Sequence, residues 1–443
     1  MTVCIATSDY LPSENGIATF NKHLTNILTD SGHTAIILTI DYERCKEEDD
    51  EVIKSRENKL VIVSLRKTYY RYLKYYSRFF RPGGLNAPNW LAMGYAMRDW
   101  LRANVIKYNI DIIEAADYGG FGVLVMQPEL PPVILTGHGN LLQMQKHSKG
   151  YETDDHFNLI TELEKLSYQY ADATVTHSPF NVNDLTAIFK RPIALKKMPF
   201  VSSNKIENEE KKKSGQILCI GGLYPVKGIE DLLSALMILK DHEPEIKAEW
   251  IGSDTWLAPG YKKMSTWLEK KYPEIWGSLF KWLGPQSHKT VLEKIAEAAM
   301  IVIPARFETF NYVALEAASY KKAIIITSTT GAAYLFIDGK SACIVPPSDP
   351  VSLAKAITRL RTDSNLCGEL GENAVTKVAS LFNPDDILNE RIELYKATIG
   401  KRRLNKNSAD AATAIIKKYI TPQRWLLYRI KALLKKIISP LIK

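Results

Sequence analysis

Short apolar runs alternate with helix-period segments from residue 3 to residue 176, stop at a charged stretch, and start again at residue 216. In the first half, strand-like runs fall at Val3–Thr7, Ala35–Thr39, Leu60–Val63, Asp111–Ala115, Val133–Thr136 and Ala173–Thr176. Helical spacing occupies Ile17–Ser31, closed by Gly32, and Leu159–Tyr170. The interruption, SSNKIENEEKKKSG at 202–215, is nearly free of apolar residues and reads as a linker. Beyond it, QILCIG at 216–221, Ala248–Gly252, Lys281–Leu283, Met300–Pro304, Ala323–Thr327 and Ala342–Val345 read as strands. Ile229–Lys240, His288–Ala298, Tyr312–Ser319 and Ser352–Arg361 read as helices between them. Strand–helix alternation predicts α/β domains, each a parallel sheet covered on both faces. Two Rossmann-like domains of about 200 residues fit a 443-residue chain, with a cleft between them as the default ligand site.

The charge is unevenly spread. Residues 401–443 hold twelve Lys and Arg against one acid, Asp410, a balance of +11. The total of +9 therefore leaves the first 400 residues near −2. A neutral body with a basic tail suits an electrostatic tether better than a basic catalytic groove, and disfavours nucleic acid as partner. The five cysteines, at 4, 45, 219, 343 and 367, form no C-x-x-C or metal spacing, and are expected to be reduced thiols of a cytoplasmic protein. No run approaches the length of a membrane span, and MTVCIATSDY reads as a first strand, not a signal peptide.

Three loops carry the chemistry. GGLYPVKG, 221–228, joins a strand to a helix; its glycines allow close backbone approach, and Lys227 puts a cation where a phosphate could sit at a helix N-terminus. RFETFNYVALEA, 306–317, sets Glu308 in the loop after the strand Met300–Pro304 and Glu316 in the helix that follows. Carboxylates accept paired hydrogen bonds and suit the vicinal diols of a ribose or sugar ring. STTGAAY, 328–334, is a third turn on the same sheet edge. Each alone is common: a pair of glutamates is ordinarily a solvated helix face, and a Gly-rich turn ordinarily a turn. Together they point to a nucleotide-sugar diphosphate. No G-x-x-x-x-G-K-[ST] is present, which argues against a P-loop ATPase, and no Asp-x-Asp suggests a metal-held diphosphate.

From Gln216 to Ile357 the chain resembles the donor-binding domain of retaining GT-B glycosyltransferases, of the family 4 or group 1 type found among bacterial cell-surface polysaccharide enzymes. The resemblance is carried by GGLYPVKGIEDLLSAL and by the stretch from LGPQSHKTVLEKI through RFETFNYVALEA to PPSDPVSLAKAI. More loosely, SDYLPSENGIATF at 8–20, LTGHGN at 135–140 and EKLSYQYADATVTHS at 164–178 carry it into the first half, so that it covers about residues 1–400. It implies that Glu316 holds the ribose, Glu308 contacts the donor sugar and Lys227 neutralises the diphosphate. His138, Lys227 and Glu308 would be the catalytic set. Gly16, Gly222, Arg306, backbone amides at Phe310 and Asn311, Thr330 and Gly331 would line the donor. It further implies domains at 1–200 and 216–382, a linker at 201–215, a helix at 383–400 crossing back to the first domain, and an appended tail at 401–443. Gly222 stands where the family often has Arg, and Arg306 is the candidate replacement cation. The implied reaction is hexosyl transfer with retention and without a metal. The donor would be UDP- or GDP-linked as substrate, and no cofactor would be needed.

Two basic segments lie outside this core. RKTYYRYLKYYSRFFRP, 66–82, mixes six cations with seven aromatics and reads either as an interface for membrane or sugar, or as a helix whose rings pack on its own domain. RWLLYRIKALLKKIISPLIK, 424–443, has helical apolar spacing with Arg429, Lys431, Lys435 and Lys436 on the other face and Trp425 at its start. It reads as a helix lying in an anionic membrane surface, giving a peripheral protein on the inner face with a glycan or lipid-linked acceptor. The competing functions are a nucleotide-sugar epimerase and an inert nucleotide-sugar-binding scaffold.

Overall fold

The computed structural model describes residues 1–10, 15–41, 48–81, 86–147, 153–201, 216–259, 262–401, 407–423 and 426. The first half builds an eight-stranded sheet from β1 (Thr2–Ala6), β2 (Thr34–Ile40), β3 (Glu51–Ser55), β4 (Leu60–Leu65), β5 (Ile112–Ala116), β6 (Val133–Thr136), β7 (Ala173–Thr176) and β8 (Ala194–Leu195). Its order is β3-β4-β2-β1-β5-β6-β7-β8. The second half builds a six-stranded sheet from β9 (Gln216–Ile220), β10 (Lys247–Ile251), β11 (Phe280–Gly284), β12 (Met300–Ile303), β13 (Ala323–Thr327) and β14 (Cys343–Val345). Its order is β11-β10-β9-β12-β13-β14, all parallel.

The central strands are mostly apolar because helices cover both faces; Val3 and Ile5 are as buried as Cys4 between them. β3 breaks the parallel rule. It pairs antiparallel with β4 at the sheet edge, and most of its residues are exposed, so EVIKS carries no buried-strand pattern. In each sheet the chain reverses its direction of growth once, between β1 and β5 and between β9 and β12. Crevices at the strand C-termini open at such points.

One apolar cluster runs from Val3, Phe20 and Ile134 in the first half to Ile301, Leu315 and Tyr312 in the second and joins the two. The helix Pro384–Gly400 crosses back to the first sheet. There Arg391 donates to Glu114 at 3.1 Å, and the Tyr395 hydroxyl donates to the other Glu114 oxygen at 2.7 Å. Both charges are essentially inaccessible, 1% and 2% exposed. Thr136 completes the carboxylate's partners at 2.7 Å, and the Arg391 guanidinium lies 5.6 Å from the Phe20 ring centroid.

The aromatic segment resolves in favour of packing. In the helix Lys67–Tyr76 and the turn after it, Tyr69, Tyr76 and Phe80 are buried, and Tyr72 stacks on Tyr95. Arg66 is buried against Asp41, Glu48 and Glu51, while Lys67, Arg71, Lys74, Arg78 and Arg81 remain exposed. The first part of the basic tail is a docked helix, Ser408–Tyr419. Its Ala412, Ile416 and Tyr419 pack with Tyr76 and Phe80, and Tyr419 donates to Glu162 at 3.0 Å. Trp425, Arg429, Lys431, Lys435 and Lys436, assigned to membrane contact, lie outside the described residues. Among the described residues no helix is long and apolar enough to cross a membrane.

Candidate donor site at the C-terminal edges of the two sheets

The loop after β9 is pressed against the end of β12. A Cβ on Gly228, whose φ is +73°, would stand 1.9 Å from the Pro304 carbonyl oxygen, so only glycine allows this approach. The Arg306 amide donates to the Val226 carbonyl at 2.7 Å and locks the two loops together. The turn after β13 closes from the other side. The Glu308 amide donates to Thr329 at 3.3 Å, and the Gly331 amide donates to the Glu308 carbonyl at 2.8 Å. Thr330 is buried, its hydroxyl 2.9 Å from that of Thr327.

This knitting brings Lys227 and Glu308 into a direct ion pair, with side chains 27% and 17% exposed. Asn311 then does two jobs. Its Oδ1 accepts from the Ala314 amide and caps the helix Tyr312–Ser319, and its Nδ2 donates to the second Glu308 oxygen at 3.0 Å. Phe310 is buried in the core, so only its backbone can face a ligand. Glu316, on the same helix, pairs with His288 Nε2 at 2.8 Å. Arg306, the candidate second cation, is paired as Lys227 is: Asp231, in the first turn of the helix Ile229–Leu239, holds its guanidinium at 2.7 and 2.8 Å, and the pair braces the loops.

His138 arrives from the other sheet. Asp117, at the end of β5 and fully buried, accepts from the amides of His138 at 2.8 Å and Gly139 at 3.2 Å, from Asn140 Nδ2 at 3.1 Å and from the Tyr168 hydroxyl at 2.8 Å. Burial raises its pKa against those four bonds. The His138 carbonyl accepts from Thr309 at 3.3 Å, and the Ser178 hydroxyl donates to the Thr309 carbonyl at 2.8 Å. The residue next to Glu308 is thus stitched to the histidine loop. The His138 ring meets Phe20 edge-on at 4.6 Å. Gly16 begins the helix Gly16–Asp30, capped by Asn15, and an added Cβ there would meet nothing within 4 Å. Gly222 lies beside Tyr224 in the β9 loop. The sequence alone assigned no roles to Asp117, His288 and Thr309, and Ser178 entered only as the end of the 164–178 pattern; each acts through a partner distant in sequence.

Burial pushes the His138 ring down to about 3, with the Arg391 charge acting the same way. His177 is held well below its ordinary range, first by burial and then by Arg391. Its Nδ1 donates to the Lys196 carbonyl at 3.0 Å and its Nε2 accepts from Arg391 at 3.3 Å, the pattern of a neutral ring. His23, stacked on Tyr312 across the domain junction, is pushed down to about 4 by burial. Histidines that stay neutral in the fold but titrate near 6.5 when unfolded contribute stability that is whole above pH ~6.5 and lost as pH falls toward their folded values. The urea midpoint is therefore expected to drop between pH 6.5 and 4, and His177→Gln to flatten that drop. An unchanged slope in the variant contradicts the assignment.

A model described as glycosyl transferases group 1 matches residues 201–377, and one described as glycosyltransferase family 4 matches residues 14–195. An exopolysaccharide phosphotransferase of Streptomyces coelicolor is 34% identical over 135 residues, 30% of this chain but only 14% of that protein. A glycogen synthase of Mycobacterium tuberculosis is 22% identical over 428 residues, covering 90% of this chain and 95% of its own. Among solved structures, sucrose-phosphate synthase of Thermosynechococcus elongatus superposes with a TM-score of 0.69 at 19% identity, over 90% of this chain and 99% of that one. HepE of Anabaena, solved with UDP and glucose, gives a TM-score of 0.61 at 14% identity, over 90% and 100%. With both halves matched, and two α/β sheets whose loops pair Lys227 with Glu308, the chain belongs to the group 1, family 4 glycosyltransferases of GT-B architecture.

Proposed function

We propose that the protein transfers a hexosyl unit, with retention and without a metal, from a UDP- or GDP-linked donor to a glycan or lipid-linked acceptor at the inner membrane face, in cell-surface polysaccharide synthesis. The observation that carries this reading is the Lys227–Glu308 pair, on the loops at the switch point of the second sheet that precede the Glu316 helix, stitched through Thr309 to His138 of the first. In this reading Lys227 neutralises the departing diphosphate, which is where negative charge grows in the transition state. Glu308 and Asn311 orient the sugar ring. Glu316 takes the ribose hydroxyls, exchanging the His288 contact for them. His138, neutral at working pH, offers a ring nitrogen to the sugar. The C1–O bond to the diphosphate breaks, the acceptor oxygen bonds C1 from the same face, and the acceptor's hydroxyl proton passes to the departing diphosphate. The run of cations in 401–443 supports a membrane location for the acceptor.

The test is product analysis with membrane lipid extract as acceptor and a panel of UDP- and GDP-sugars. The expected product keeps the donor's anomeric configuration by NMR, and its rate is unchanged by EDTA. Isomerised donor with no transfer product would identify an epimerase instead. An inverted product or loss of rate in EDTA would overturn the corresponding part of the mechanism.

A further inference from the structure

The turn that carries Lys227 carries a second side chain with no evident structural duty. After Gly221 and Gly222 the chain buries Leu223 completely, fixing it through the Ser253 carbonyl and the Thr255 hydroxyl. Tyr224 turns the opposite way and is 39% exposed. Its amide donates to the Gly222 carbonyl at 2.7 Å, a tight turn that folds the ring back over Gly222. A Cβ at position 222 would stand 2.6 Å from Tyr224 Cε2 and 2.8 Å from Cδ2, so the ring takes the space any other residue at 222 would need. One residue earlier, a Cβ on Gly221 would lie 3.7–4.0 Å from the Lys227 methylenes. The lysine stem and the tyrosine ring therefore lie over two consecutive glycines. Lys227 reaches Glu308 from there. The Tyr224 hydroxyl has no hydrogen-bond partner among the described residues.

Single exposed aromatics are ordinary on protein surfaces. What separates Tyr224 from them is its seat. It is folded back by a turn over a glycine whose Cβ would displace it, alongside the lysine read above as the diphosphate ligand. We propose that Tyr224 donates its hydroxyl hydrogen bond to the donor's diphosphate, so that this turn grips the phosphates with one cation and one neutral donor. The proposal rests on the donor-site reading of Lys227. A phenol donates to a phosphate oxygen through a strong, charge-assisted bond. It adds no charge, so the grip through Tyr224 is less sensitive to salt than one made by a second cation.

Calorimetric titration of UDP, GDP and ADP into the full-length protein tests this. The wild-type chain is expected to bind one of them. Tyr224→Phe, which keeps the ring, should weaken that diphosphate about tenfold or more, the usual effect of losing a hydrogen bond to a charged group. Its melting temperature should stay at the wild-type value. Gly222→Ala, whose Cβ evicts the ring, should cost a similar factor. Combining the two should add little, because both remove one contact. Tyr224→Phe with wild-type affinity beside a weakened Tyr224→Ala would assign the ring to base or sugar stacking and overturn the hydroxyl's role. Wild-type affinity in both would make Tyr224 a surface residue and overturn the proposal. A wild-type chain that binds none of the three would overturn the donor-site reading itself, and this inference with it.

Discussion

Arg391→Ala is expected to cost about 3–5 kcal/mol of stability, the usual loss when one member of a buried ion pair is deleted. The reason lies with the partner. Glu114 is 2% exposed, and without Arg391 its charge keeps only the Tyr395 and Thr136 hydroxyls. For a domain of this size the loss lowers the melting temperature by about 10 °C. Arg391→Met with Glu114→Gln should recover much of it, since no uncompensated charge remains. The effect should also reach the site. Arg391 lies over Phe20, Phe20 packs on His138, and Arg391 helps keep both His138 and His177 neutral. A loss below 1 kcal/mol by urea denaturation would show that the crossing helix is held by its apolar contacts alone.

Lys227→Ala and Glu308→Ala are each expected to lower turnover by ten- to hundred-fold or more. A charge-assisted contact to a buried or reacting group contributes about 1.5–3 kcal/mol, and each 1.36 kcal/mol is a factor of ten in rate. The direct pairing of the two side chains adds a second expectation. Removing either disturbs the other, so the double variant should lose far less than the product of the single losses. Steady-state turnover of the three variants checks both statements. Wild-type rates in the two single variants would remove these residues from the reacting centre.

Much of this architecture was legible because parallel strands buried on both faces leave an unmistakable mark. TAIILTI and AIIIT carry apolar runs of four, AIIL and AIII, and the structure places both in sheet interiors. β3 was not legible for the opposite reason: an exposed antiparallel edge needs no apolar pattern, and EVIKS offers little. The loops with Lys227, Glu308 and Glu316 could be found from their order along the sequence. Their partners could not. Asp231 pairs with Arg306, the candidate second cation, across 75 residues. Glu114 meets Arg391 across 277 residues. Asp117, which anchors the His138 loop, stands in EAADYGG with nothing around it to mark a ligand for two backbone amides. Such roles arise from the closing of the fold, and local periodicity carries no trace of them. The aromatic segment shows a related limit. Composition left packing and interface equally open, and contacts such as that between Tyr72 and Tyr95 favour packing.

In the proposed function the edge of the second sheet holds the nucleotide of a sugar donor, with Glu316 on its ribose. The most direct test is to follow the melting temperature while UDP, GDP, ADP and CMP and their common sugar conjugates are added, with Glu316→Ala alongside. A ligand at 100 times its dissociation constant adds about 2.7 kcal/mol of stability, a shift of several degrees. Such a shift is expected for one nucleotide family in the wild-type chain, with its loss in the variant. No shift with any nucleotide, or an equal shift in the variant, would contradict it.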